Sequence, residues 1–233
     1  MNLFKKNNLL ALAGIIILIS TIIFSCDVNY AYADYKTGKY EASTCVKFDD
    51  CGGSGEYPYN FRVIDEKLFA GGNLFGPLAK KKNSTEKVDE YIEFLNSLGV
   101  KSIIALNVPA GNTAELDYIG KKCEEKGMKL YRFRMTSEEV PNSEQTKKIM
   151  ELIENKAYVH CNWGCDRTGT IIAKYLILKK GYSGEKALRA VINGGSHSGR
   201  LGGFKQMPQY RKLLLYFWPD AVSEKSQIAK KFF

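Results

Sequence analysis

The residues best suited to chemistry lie in the segment 161–170, which reads Cys-Asn-Trp-Gly-Cys-Asp-Arg-Thr-Gly-Thr. An apolar run ending at His160 precedes it and the helical run Ile171–Lys180 follows it, which predicts a strand, a loop and a helix. The backbone N–H groups of such a loop and the N-terminus of the helix converge on one point. That point favours a dianionic phosphate and faces Cys161.

Individual side chains of this segment suit phosphate chemistry. The positive end of a helix favours the thiolate, so we expect Cys161 to be a nucleophile. Arg167 can grip two phosphate oxygens with its planar guanidinium, and Thr168 can hydrogen-bond the thiolate. The expected phosphate-binding residues are Asn162, Trp163, Gly164, Cys165, Asp166 and Arg167.

Helical and strand patterns alternate around this segment. The alternation predicts an α/β fold with a mainly parallel central sheet, helices on both faces and a site at the carboxyl ends of the strands. Gly99 and Gly127 are expected to end the first two helices. The expected strands are Arg62–Ile64, Lys67–Ala70, Lys101–Leu106, Lys129–Arg134 and Tyr158–His160. The expected helices are Ser84–Leu98, Ala114–Lys126, Ser143–Glu154, Ile171–Lys180 and Pro208–Phe217.

The pattern His160-Cys161, five residues, Arg167-Thr168-Gly169 resembles the signature of the cysteine-dependent protein tyrosine and dual-specificity phosphatases. The upstream stretch from Asn60 to Gly72 is similar to the dual-specificity branch, and the resemblance spans about residues 57–218. It implies a dual-specificity-phosphatase-like fold and a phosphocysteine intermediate that water hydrolyses. It also implies that His160 braces the loop and that no metal or cofactor is required.

The general acid is where this chain departs from the family. Relatives carry an Asp on a loop ahead of the nucleophile, but the corresponding loop Met135–Pro141 contains none. Glu138 is one candidate because another carboxylic acid can do the same work. Asp166 is the other, because the Cys-x4-Asp-Arg-Thr loop resembles bacterial tyrosine phosphatases with phosphoinositide activity and eukaryotic inositol-lipid phosphatases. A third alternative is that neither acts.

The expected substrate is phosphotyrosine, with phosphoinositides or inositol phosphates as further candidates. A formal net charge of +9 favours anionic partners without choosing among them. Nucleic acid is not expected, because the chain has no basic helix or aromatic platform. The absent loop Asp motivates an alternative, a pseudophosphatase that binds phosphorylated ligands without turnover.

Residues 1–33 have the pattern of an export signal. Lys5 and Lys6 precede an apolar run from Leu9 to Phe24, and a polar stretch ends in Ala-Tyr-Ala at Ala33. Three alternatives stay open: cleavage after Ala33, lipidation at Cys26, and an uncleaved membrane anchor. Each predicts a secreted, periplasmic or membrane-anchored protein outside the bacterial cytoplasm.

The remaining residues divide into a linker at 34–56 and a phosphatase domain at 57–233. A composition near the globular average excludes a disordered or collagenous chain. Cys45 and Cys51 form either a disulfide or two thiols. Cys165 is either a structural thiol or a reversible disulfide partner of Cys161.

Overall fold

The computed structural model describes residues 55, 57–77, 82–107, 114–193, 210–224 and 226–233. The export signal, Cys26, the Cys45–Cys51 pair and nearly all of the linker at 34–56 lie outside this part and stay predictions. Within the described ranges, no helix combines the length and apolarity needed to cross a membrane.

A five-stranded sheet forms the centre of the structure, in the order β1-β2-β5-β3-β4. Only β1 is antiparallel to its neighbour, and the other three pairings are parallel. The predicted mainly parallel sheet is therefore confirmed. The strands are β1 at Arg62–Val63, β2 at Leu68–Gly71, β3 at Ser102–Ala105, β4 at Lys129–Arg132 and β5 at Ala157–His160.

The predicted helices occur in the predicted order, and the helix at Gly184–Asn193 is an additional one that the sequence analysis did not predict. Ser84 caps the first helix by accepting a hydrogen bond from the Lys87 N–H, and Gly99 follows that helix with a φ of 80°. Such capping signals act locally, so the sequence pattern detects them. The helices are α1 at Thr85–Ser97, α2 at Ala114–Glu125, α3 at Ser143–Glu154, α4 at Asp166–Lys180, α5 at Gly184–Asn193 and α6 at Arg211–Phe217.

The start of α4 differs from the prediction. The helix begins at Asp166 and not at Ile171, so half of the expected loop is helical. The first turn contains Thr168, Gly169 and Thr170, which have low intrinsic helix propensity. The sequence pattern therefore did not predict this turn as helical. All three are buried, and packing against the core overrides their weak propensity.

Apolar side chains cover both faces of the sheet. Alternate residues of a strand point to opposite faces. Ile104 and Val159 belong to the core cluster that includes α3, α4, α5 and α6. Ile103 and Tyr158 belong to a second cluster, which includes α1 and α2. The sheet is therefore sandwiched between two helical layers.

The register of the sheet brings three strand ends together. Gly71 at the end of β2 and Ala105 at the end of β3 both pair with His160, the last residue of the central strand β5. Because these strands are parallel, the segments that follow them emerge at the same edge. The segment that follows β5 begins with Cys161.

Candidate active site

Cys161 is the first residue after β5, and it is 2% exposed. The short loop 162–165 follows it, and α4 begins at Asp166. The first N–H groups of an α-helix have no intrahelical acceptor, and they carry the positive end of the helix dipole. The fold therefore places a nearly buried thiol below a loop that leads into a helix N-terminus.

Three successive carbonyls of the loop accept hydrogen bonds from the segment that surrounds β1 and β2. The Asn73 N–H donates to the Asn162 carbonyl at 3.1 Å. The Asn60 side-chain amide donates to the carbonyl of Trp163 at 3.4 Å. Arg62 Nη2 donates to the carbonyl of Gly164 at 2.7 Å.

These bonds fix the direction of the loop amides. A trans peptide directs its C=O and its N–H to opposite sides. Because the carbonyls of residues 162–164 face the 60–73 segment, the N–H groups of residues 163–165 point the other way, into the loop. Successive amides directed to one side form a concavity suited to an anion.

Gly164 allows this loop to approach β2. Its φ of 70° lies in the left-handed region, and a Cβ there would stand 2.4 Å from the carbonyl carbon of Gly71. A Cβ on Gly72 would lie 3.0 Å from the carbonyl oxygen of Asn162. The main chains are therefore in direct contact, which only glycine permits.

Arg167 connects the loop to the segment predicted to carry the general acid. Its Nη1 donates to the carbonyl of Met135 at 3.2 Å. The Thr136 hydroxyl accepts the N–H groups of Glu138 and Glu139, which closes a tight turn. The structure thus brings the Met135–Pro141 loop beside the guanidinium of Arg167.

The three carboxylates near this loop differ in their surroundings. Glu139 forms an ion pair with Arg134 at 2.7 Å. Glu138 is exposed, and within the described part of the chain its carboxylate has neither a hydrogen bond nor an ion pair. Asp166 lies in the first turn of α4, with Oδ1 buried. Asp166 thus precedes Arg167 in the chain, and Glu138 lies on the loop whose Met135 carbonyl accepts a hydrogen bond from Arg167.

His160 is completely buried beneath the loop. Its Nδ1 lies 3.1 Å from the carbonyl oxygen of Cys161, and this nitrogen carries the proton because a carbonyl only accepts. Burial lowers the pKa of His160 to about 4, so the ring is neutral at neutral pH. This contact agrees with the bracing role implied by the family resemblance.

The neutral His160 predicts a loss of stability in acid. An unfolded histidine takes up a proton near pH 6.5, whereas burial holds the pKa of the folded His160 at about 4. The unfolding free energy should therefore fall by about 3 kcal/mol as the pH drops from about 6.5 to about 4. Chemical denaturation at a series of pH values measures it. In His160→Asn, the unfolding free energy should not show this decrease between pH 6.5 and 4. An equal decrease in both proteins would refute the assignment of a neutral, buried His160.

The structure shows the surroundings of three further residues of the predicted site. The Thr168 hydroxyl is buried and makes no hydrogen bond within the described residues, so the predicted bond to the Cys161 sulfur is not formed. Trp163 packs edge-on against the buried Tyr59, with ring centroids 5.3 Å apart. Cys161 and Cys165 are both reduced, and burial raises the pKa of the Cys165 thiol.

Sequence reasoning missed the residues that hold the loop from outside. The sequence predicts a strand at Arg62 and places both Asn60 and Arg62 in the stretch that resembles the dual-specificity branch, but it indicates no role for either at the site. Asn60 has a φ of 52°, a strained conformation that asparagine tolerates better than most residues. No local sequence signal marks Arg62, because its contact to Gly164 spans 102 positions.

A known family model matches the part of the chain that contains Cys161 and Arg167. Residues 78–181 match the family model Tc-R-P, described as a polymorphic toxin system DSP-PTPase phosphatase. Over these residues the chain is similar to the cysteine-dependent, dual-specificity-like phosphatases. The match includes the whole Cys161–Thr168 segment of this phosphatase-like domain.

One curated relative and two solved structures are similar to the phosphatase-like domain. Protein tyrosine phosphatase domain-containing protein 1 from Bos taurus is 29% identical over 127 residues, which cover 48% of this chain and 16% of that protein. The chain thus spans about a sixth of that relative's length. P. aeruginosa TpbA is 14% identical with a TM-score of 0.45, covering 75% of this chain and 89% of TpbA. The catalytic core of the PP-IP phosphatase SIW14 from S. cerevisiae is 19% identical with a TM-score of 0.45. The match covers 72% of this chain and 90% of the SIW14 chain.

Proposed function

We propose that this protein hydrolyses phosphomonoesters through a phosphocysteine formed on Cys161. One observation carries the proposal: Cys161 lies at the carboxyl end of the central parallel strand, under a loop whose amides of residues 163–165 point inward. A thiol and an anion-binding concavity at one place match the needs of phosphoryl transfer to sulfur. The family match over residues 78–181 supports the same reaction.

The proposed reaction has two displacements. The Cys161 thiolate attacks phosphorus, the bond to the ester oxygen breaks, and a carboxylic acid protonates that oxygen as it leaves. In the second step the resulting carboxylate takes a proton from water, which attacks phosphorus; the P–S bond breaks, and phosphate, the Cys161 thiolate and the carboxylic acid are restored. Arg167 and the loop amides stabilise the charge on the phosphoryl oxygens in both steps.

The depth of Cys161 supports phosphotyrosine as the substrate. Because Cys161 is only 2% exposed, we expect its thiol to be accessible to a phosphate at the end of a long side chain. A phosphotyrosine ring extends farther from its backbone than the side chain of phosphoserine does. The net charge of +9 also favours anionic phosphoinositides as further substrates.

Hydrolysis assays on the full chain test this function. A tyrosine-phosphorylated peptide, the same peptide with phosphoserine, and vesicles containing a phosphoinositide would be compared in the presence of a chelator. We expect turnover of the phosphotyrosine peptide and a phosphorylated Cys161 in the acid-quenched protein, detected by mass spectrometry. A chain that binds inorganic phosphate but turns over none of the three would be the pseudophosphatase.

The proton donor is predicted to be Glu138, because its carboxylate is unengaged on the loop that contacts Arg167. Glu138→Gln should lower kcat on phenyl phosphate by about 10²–10⁴-fold and remove the basic limb of the pH profile. Glu139→Gln is the matched control, since the neighbouring carboxylate is paired with Arg134. If Asp166→Asn removes the basic limb and Glu138→Gln does not, Asp166 is the acid.

A further inference from the structure

Arg62 is a buried cation on the edge strand β1. The residue is 1% exposed and ranks among the largest fully buried side chains of the described chain. Arginine is seldom buried completely unless its charge is compensated. Its Nη1 donates to the carbonyl of Asn60 at 3.1 Å, and its Nη2 to the carbonyl of Gly164 at 2.7 Å.

The bond to Gly164 determines how one peptide of the loop is oriented. With the carbonyl of Gly164 held by the guanidinium, the N–H of Cys165 points away from Arg62 and into the loop. Gly164 adopts its φ of 70° without strain, and the bond from Arg62 holds its carbonyl in one direction.

The charge of Arg62 also acts on the loop. A guanidinium stays protonated in proteins, and charges interact more strongly in a buried environment than in water. Burial raises the pKa of the Cys165 thiol, and the positive charge of Arg62 opposes that rise. An anion bound within the same loop would also be attracted by this charge.

We propose that Arg62 is a positioning residue of the phosphate site, which orients the Gly164–Cys165 peptide toward bound phosphate and adds positive charge behind it. This inference rests on the proposed function. Arg62 lies on the far side of the loop from the anion, so it acts through the loop and not by contact.

Three substitutions separate the two contributions of Arg62. Arg62→Lys keeps the charge but not the forked pair of donors, Arg62→Gln keeps a donor without the charge, and Arg62→Met removes both. Tyr175→Phe is the matched control, because it deletes a buried 2.6 Å hydrogen bond to Asp65, which precedes β2 at the end remote from the loop. Binding of inorganic phosphate by calorimetry, kcat, KM and Tm would be measured for each protein.

We expect Arg62→Met to bind phosphate at least about 10-fold more weakly, with Arg62→Lys and Arg62→Gln between it and the wild type. Tyr175→Phe should lower Tm while phosphate affinity stays unchanged. Unchanged phosphate affinity in a folded Arg62→Met would overturn the proposal, since Arg62 would then serve the fold alone. Should Arg62→Met not fold, unchanged affinity in both Arg62→Lys and Arg62→Gln would overturn it equally.

The same measurements distinguish this proposal from the proposed function. If the wild type binds phosphate without hydrolysing any ester, the hydrolase assignment fails, and the affinities of the variants still decide the role of Arg62. If the wild type does not bind phosphate, both proposals are wrong.

Discussion

Replacing Gly164 with alanine is expected to destabilise the protein by about 2–5 kcal/mol and to abolish phosphate binding. Two effects add at this position. The left-handed φ of 70° disfavours any L side chain, and the new Cβ would stand 2.4 Å from Gly71 C and 2.7 Å from Gly72 N. Both are main-chain atoms of the sheet edge, so no side-chain rotation relieves the clash. Thermal unfolding should show a fall in Tm on the order of 10 °C.

Gly127 provides the matched control for this substitution. It has the same φ of 70°, but among the described residues no atom apart from those of Gly127 and its chain neighbours lies within 4 Å of the position that its Cβ would take. Gly127→Ala should therefore show the conformational penalty alone, about 1–2 kcal/mol, with phosphate binding intact. Equal destabilisation by the two substitutions would mean that the close approach of the loop to β2 contributes nothing.

Replacing Cys161 with serine is expected to reduce turnover on the order of 10⁴-fold or more while the fold and the affinity for inorganic phosphate are kept. A serine hydroxyl is not ionised at neutral pH, so the first displacement has no nucleophile. The proposed phosphate site, by contrast, consists of main-chain amides and Arg167, which this change leaves in place. Steady-state kinetics and phosphate calorimetry measure the two effects separately.

Cys165→Ser is the control for the loss of a thiol from the same loop. Burial and the nearby Cys161 and Asp166 raise the pKa of the Cys165 thiol, which stays protonated at neutral pH. We expect this variant to keep turnover within about 10-fold of the wild type, the loss coming from its buried packing. Comparable losses of several orders of magnitude in both variants would contradict the assignment of Cys161 as the nucleophile.

The sequence alone was sufficient where the determining interactions are local. The Ser143–Glu154 helix has the predicted bounds, because Asn142 and Gln145 form a capping box within one turn of its start. Gly99 and Gly127 lie two positions after the last residue of their helices, and each has the left-handed φ typical of a helix C-terminus, as predicted. Alternation of helices and strands was likewise enough to predict a mainly parallel sheet with the Cys161 loop at its carboxyl edge.

The beginning of α4 shows where a local pattern fails. Residues 166–170 contain threonine and glycine, whose intrinsic preferences do not favour a helix. These residues are helical because they are buried against the core, and their burial depends on segments that are remote in the chain. The same reason explains why the pattern could not place Trp163, whose neighbour Tyr59 lies 104 positions earlier.

What only the tertiary structure decided is how the phosphate loop is held. The sequence determined a cysteine, an arginine and a loop of suitable length, but Arg62 and Asn60 looked like ordinary residues at the start of a strand. Their bonds to Gly164 and Trp163 join residues 102 and 103 positions apart. Such contacts follow from strand order and register, which bring the end of β2 beside the end of β5, and no pattern within either segment encodes that juxtaposition.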